Sequence, residues 1–163
     1  LIHNAALGNF KPVMKLRENH WDLSFNVNTK SLLLFAQAAA PHLEKTKGRI
    51  VTISSLGSHK YLDNYGAIGI SKAALECLVR YLAVELGPRD IHVNCVSGGP
   101  IDTDSLKMFP DYEEMKRECI KHTPFSRLGT PDDMARIIKF LCSEESSWIT
   151  GQTIIADGGL SLR

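Results

Sequence analysis

What is missing from this sequence narrows its reading first. There is no G-x-G-x-x-G and no other glycine-rich turn leading from a strand into a helix, so these residues supply no seat for a pyrophosphate on a helix N-terminus. The four cysteines, Cys77, Cys95, Cys119 and Cys142, have no C-x-x-C spacing and fall within apolar segments. That excludes a zinc site and a disulfide framework, and fits reduced core residues in a reducing, cytoplasmic compartment. The six histidines are scattered singly; we take them as structural or surface residues and expect no metal site. With 19 basic and 18 acidic residues and a net charge of +1, there is no basic stripe for nucleic acid. Apolar stretches such as 31–40 and 73–86 are too short or too interrupted to span a membrane. The opening Leu1-Ile2-His3-Asn4-Ala5-Ala6 has neither Met nor a charged leader segment. It reads as the end of a strand entered midway, so residues 1–163 are expected to form a single, N-terminally incomplete domain.

What is present alternates between two periods. β-branched runs at 48–54, 91–97 and 152–157 read as strands. Between the first two, Leu75, Leu78, Val79, Leu82, Ala83 and Leu86 recur at helical spacing, and Gly87-Pro88 ends the helix. Before the third strand, Thr130-Pro131-Asp132-Asp133 supplies an N-cap, a proline at N1 and acids in the first turn, and Met134, Ile137, Ile138 and Leu141 follow. An earlier helical stretch runs from Trp21 to about Leu43. Strands separated by helices of this length call for a parallel sheet with right-handed crossovers and helices on both faces, an α/β doubly wound fold.

The chemistry concentrates at Tyr65 and Lys72. A phenol beside a lysine that lowers its pKa is a device for reducing a polarised C=O or C=C bond. Each residue alone has a plainer reading, a core aromatic and a snorkelling lysine. Seven residues along a continuous helix amount to about 10.5 Å of rise. Gly66 and Gly69 make such a helix costly between the two, so Tyr65 is expected on a loop ahead of the helix that carries Lys72.

Taken together, these segments resemble the C-terminal two-thirds of a short-chain dehydrogenase/reductase, a Rossmann-like doubly wound fold whose first three strands would lie upstream. His3-Asn4-Ala5-Ala6 is similar to the family's N-N-A-G segment, with two departures. Asn26-Val27-Asn28 is similar to its V-N segment, and Ile53-Ser54-Ser55 to its strand-end serine. Residues 93–103 resemble N-x-V-x-P-G-x-I-x-T, with Gly98 where the proline normally stands. Arg127-Leu128-Gly129, Gly151-Gln152 and Asp157-Gly158-Gly159 match the family's close. The usual Tyr-x-x-x-Lys would need tyrosine at 68, where this chain has Ile68. Tyr-x6-Lys is the spacing of the enoyl-acyl-carrier-protein reductases. Ser55, the segment 80–86 and Val96-Ser97-Gly98-Gly99 look most like the NADPH-dependent type III bacterial form.

The resemblance implies hydride transfer from NADPH, with NADH left open, to the β-carbon of a trans-2-enoyl thioester on acyl carrier protein or CoA, in fatty acid synthesis. Tyr65 would stabilise the enolate and Lys72 hold the nicotinamide ribose. Ser55 would orient the thioester, and Asn28 would serve either a water relay or the helix backbone. Asn4, Ala5, Ser54, Gly98, Gly99, Ile101 and Thr103 would complete the cofactor site, and the segment 106–123 would be a substrate lid. Family members pair helices corresponding to 31–40 and 73–86 across subunits, which implies a homotetramer or homodimer. Alternatives are a 2,4-dienoyl-CoA or carbonyl reductase of the same superfamily and, from another class, a non-catalytic dinucleotide-fold binding protein.

Overall fold

The computed structural model describes residues 1–163. Four parallel strands, β1 (Ile2–His3), β2 (Arg49–Ser55), β3 (His92–Gly98) and β4 (Thr153–Ala156), lie side by side in chain order. β2 and β3 pair along their full length, Arg49 opposite His92 through to Ser55 opposite Gly98. Both are buried nearly throughout, as a parallel strand covered on each face must be.

Alternation along the strands sends residues to two separate cores. Ile50, Val93 and Cys95 pack with Leu32, Ala36 and Ala40 of α2 (Ser31–Glu44) and Leu75, Val79 and Ala83 of α3 (Gly66–Leu86). Val51 and Val96, pointing the other way, pack with Met134 and Leu141 of α5 (Pro131–Leu141). The strands progress in one direction across the sheet while α3 and α5 lie on opposite faces. The β2–α3–β3 and β3–α5–β4 connections therefore have opposite hands, which corrects the expectation of right-handed crossovers throughout. The handedness rule comes from a twisted strand feeding directly into a helix. The connection from Gly98 to Thr153 is long and contains a further helix, α4 (Tyr112–His122), with no buried residue, so that local coupling is lost.

The stretch expected to be helical from Trp21 begins earlier, as α1 (Glu18–Phe25), and joins α2 through a π-helical turn at Asn26–Lys30. Thr130 caps α5 as its sequence indicates. Its hydroxyl accepts from Asp133 N at 3.2 Å, and Asp133 answers through Thr130 N at 2.8 Å. His3 is buried, its ring nitrogens 3.2 Å from Thr52 Oγ1 and 2.7 Å from Ser31 Oγ. It pins β1 to β2 and to α2, a structural use of the kind expected for the histidines.

Candidate active site

The carboxyl ends of β1, β2 and β3 open into a cavity of about 860 Å³, lined mostly by apolar side chains. Strand ends are where an open α/β sheet presents backbone and side chains free of the ladder. Asn4, Ser54, Ser55, Tyr65, Gly98, Gly99, Ile101 and Thr103 all line it; Ala5, Asn28 and Lys72 do not.

Tyr65 is the N-cap of α3, just outside the helix, as its spacing from Lys72 indicates. Gly66 and Gly69, expected to keep the helix from forming, do not. α3 starts at Gly66 and runs unbroken through Gly69. Gly69 is there for close approach: a Cβ on it would sit 2.4 Å from the Gly57 carbonyl oxygen. Gly57 in turn leaves room for the Tyr65 ring, which a Cβ would meet at 2.4 Å. The two glycines let the turn after β2 lie directly against the start of α3, and that contact sets the phenol over the strand end.

The Tyr65 hydroxyl donates to Ser55 Oγ at 3.2 Å, and Gly57 N donates to the same oxygen at 3.4 Å. Ser55 Oγ thus accepts twice and keeps its own proton to donate. Burial pushes the phenol's pKa above its ordinary value, and the Ser55 bond opposes that rise. The expected lowering by Lys72 is not found. Lys72 is 3% exposed, and its ammonium donates to the Ile53 carbonyl at 2.6 Å. Burial brings it down to about 8, against the charges of Cys95 and Glu76. The phenol is consequently a protonated donor at neutral pH.

Asn28, expected to serve either a water relay or the helix backbone, lies away from the cavity wall. It is fully buried in the π-helical turn. Its Oδ1 accepts from Leu7 N at 2.7 Å, and its Nδ2 donates to Leu7 O at 2.9 Å and Ser71 Oγ at 2.8 Å. Those bonds occupy both amide protons and fix the loop after β1 to α3. Ser54 borders the cavity, but its hydroxyl donates to Glu76 Oε1. Thr103 Oγ1 donates back to Ile101 O at 3.3 Å.

Residues that sequence reasoning passed over also shape the site. Phe10, from the loop after β1, lies with its ring centroid 4.3 Å from Phe109 and 6.1 Å from Tyr65, and Phe109 lies 5.5 Å from Tyr65, nearly parallel to it. Phe109 comes from the expected lid. Phe10 carried no signal, because its partners are 55 and 99 residues away along the chain. Glu76 did carry one: it stands four residues after Lys72 on α3, hence on the same helix face.

The donor set suits the nicotinamide–ribose end of a dinucleotide. Lys72 has two ammonium protons beyond the one given to Ile53, and Asn4 and Thr103 carry polar groups on the cavity wall.

A family model described as enoyl-(acyl carrier protein) reductase matches residues 1–161, and the chain belongs to the short-chain dehydrogenase/reductase family. It is 42% identical over 163 residues to 1-cyclohexenylcarbonyl-CoA reductase of Streptomyces collinus, covering 99% of this chain and 58% of that protein. It is 39% identical to human dehydrogenase/reductase SDR family member 4, covering 100% of this chain and 59% of the relative. Among solved structures, the Bacillus cereus enoyl-acyl carrier protein reductase with NADP+ and indole naphthyridinone superposes with a TM-score of 0.93 at 31% identity. That match covers 99% of this chain and 64% of the other. The chain thus spans less than two-thirds of each protein's length.

Proposed function

We propose that the protein is a nicotinamide-dependent reductase of the C=C bond of an α,β-unsaturated acyl thioester. The reading rests on one observation above the rest: Tyr65 caps α3 seven residues before Lys72, and the position four before Lys72 holds Ile68, a buried apolar side chain facing the same cavity. The phenol therefore sits beyond the helix end instead of on its first turn. That offset suits a carbonyl oxygen three bonds away from the carbon that takes the hydride.

When bound, the reduced cofactor, NADPH in our reading, would supply a hydride. The β-carbon gains it, the electron pair of the C=C bond shifts toward the thioester oxygen, and the α-carbon later takes a proton from solvent. Tyr65, held protonated by burial, turns its one proton from Ser55 Oγ to that oxygen as negative charge develops on it. Ser55, whose own proton is free, donates to the same oxygen. Lys72, whose ammonium donates to Ile53 on the cavity wall, would hold the ribose hydroxyls with its two remaining protons. Gly98, Gly99, Ile101, Thr103 and Asn4, which line the cavity, would hold the nicotinamide. The aromatic group of Phe10, Phe109 and Tyr65 excludes water from the reacting oxygen, and the lid opens to admit substrate. Two relatives favour this substrate class by the reductases they are named for.

The test uses the full-length protein and NADPH oxidation with a trans-2-butenoyl thioester against an acetoacetyl thioester. Reduction of the first and not the second is expected. Tyr65→Phe should lower kcat by about 100-fold or more, with cofactor affinity unchanged. Preferential turnover of the acetoacetyl thioester would establish the carbonyl-reductase alternative. Near-normal turnover by the Tyr65→Phe variant would remove Tyr65 from the chemistry.

A further inference from the structure

We infer that Glu76 is a positioning residue that holds the Ser55–Tyr65 hydrogen bond in place from α3. This role rests on the reading of Tyr65 and Ser55 as the groups that meet the substrate oxygen. Glu76 lies one turn past Lys72 on α3 and is partly buried. Its Oε1 accepts from two hydroxyls on either side of Ser55: Ser54 Oγ at the end of β2, and Ser58 Oγ at 2.6 Å in the turn that follows. Ser58 Oγ also lies 2.8 Å from the Ser55 carbonyl oxygen. One carboxylate oxygen therefore clamps both flanks of Ser55 to the helix that starts at Tyr65.

The need for a clamp follows from the local backbone. After Ser55 the strand ends and the chain enters a single 3₁₀ turn, Leu56–Ser58, containing Gly57. Such a turn has little regular hydrogen bonding of its own. Ser55 Oγ must stay within reach of the Tyr65 hydroxyl, at 3.2 Å, while its backbone sits at this transition. Hydrogen bonds to a charged acceptor are roughly twice as strong as neutral ones, so a carboxylate suits the task better than another hydroxyl. Glu76 also favours the charged form of Lys72 against the effect of burial, which links the strand-end serines and the lysine through one side chain.

Two variants of the full-length protein test this, Glu76→Ala and Glu76→Gln, with two readouts. The first is the absorbance titration of Tyr65, isolated as the difference between each protein and the same protein carrying Tyr65→Phe. Loss of the clamp loosens the Ser55 bond that lowers the phenol's pKa, so the Tyr65 titration should move upward in Glu76→Ala and return toward wild type in Glu76→Gln, whose amide oxygen still accepts. The second is turnover of the butenoyl thioester, where Glu76→Ala should lose about tenfold in kcat with KM little changed. If wild type reduces no enoyl thioester, the proposed function fails, while the titration still decides the role of Glu76. A Tyr65 titration in Glu76→Ala that coincides with wild type overturns the proposal. Should Glu76→Ala not fold, Ser58→Ala cuts the same link with a smaller change; an upward shift there supports the role, and an unmoved titration overturns it.

Discussion

A single lysine shows how far this site departs from what stability alone would select. The Lys72 amine, brought down to about 8 by burial, recovers its ordinary, higher pKa in the unfolded chain. Between those two values the unfolded state holds a proton that the native state has released, so stability rises with pH across that window. Below pH 8 both states are protonated, and the native protein carries the full cost of a buried ammonium, about 3 kcal/mol from the size of the shift. Lys72→Met removes that cost and leaves the Ile53 carbonyl without its donor, a loss of about 1 kcal/mol. The variant should therefore be inactive yet more stable than wild type by about 2 kcal/mol at pH 7, with the advantage shrinking as pH rises from about 8 into the ordinary lysine range. Urea unfolding of both full-length proteins across that range checks it. A less stable Lys72→Met at pH 7 would mean that the ammonium is better solvated than its burial indicates.

At the scale of elements, the decisive contact is between the turn after β2 and the first turn of α3. Glycine inside a helix ordinarily costs about 1 kcal/mol relative to alanine, and Gly69 looks wasteful on that ground. The Gly57 carbonyl against it explains its presence. Gly69→Ala should reverse the usual gain and destabilise the protein by about 2 kcal/mol through overpacking against backbone. It should also lower kcat, since a displaced Gly57 presses on the Tyr65 ring packed against it. Thermal melting and steady-state kinetics read the two effects; an alanine variant as stable and as active as wild type would show that the turn yields freely.

At the scale of the molecule, the outer surfaces of α2 and α3 stand out. Leu34 and Phe35 on α2 are 53% and 54% exposed, and Tyr81 and Val84 on α3 are 65% and 77% exposed. These are large apolar side chains on adjoining helices whose inner faces already fill the core. We propose that they meet the same helices of a second copy, in a homodimer or a homotetramer built from it. Phe35→Asp combined with Val84→Asp should reduce the light-scattering mass of the full-length protein toward that of one subunit, with the far-ultraviolet spectrum preserved. A wild type that is already monomeric at micromolar concentration would remove the proposal. No helix is long and apolar enough to cross a membrane.

The amino-acid sequence by itself determined the alternation of strands and helices, the cap of α5, the family, and the placement of Tyr65 just ahead of the helix that carries Lys72. Each of these is written locally, as a period of two or 3.6, a capping box, or a spacing along one segment. Tertiary structure alone decided what depends on approach between distant segments. It made Gly69 a packing residue where the sequence suggested a break, and it placed α5 on the opposite face, against the usual crossover hand. It committed the amide of Asn28 to Leu7 and the hydroxyl of Ser54 to Glu76, and it raised a phenol that the neighbouring lysine was expected to lower. Burial is a property of the whole fold: desolvation raises Tyr65 against its hydrogen bond to Ser55, and lowers Lys72 against the influence of Cys95 and Glu76.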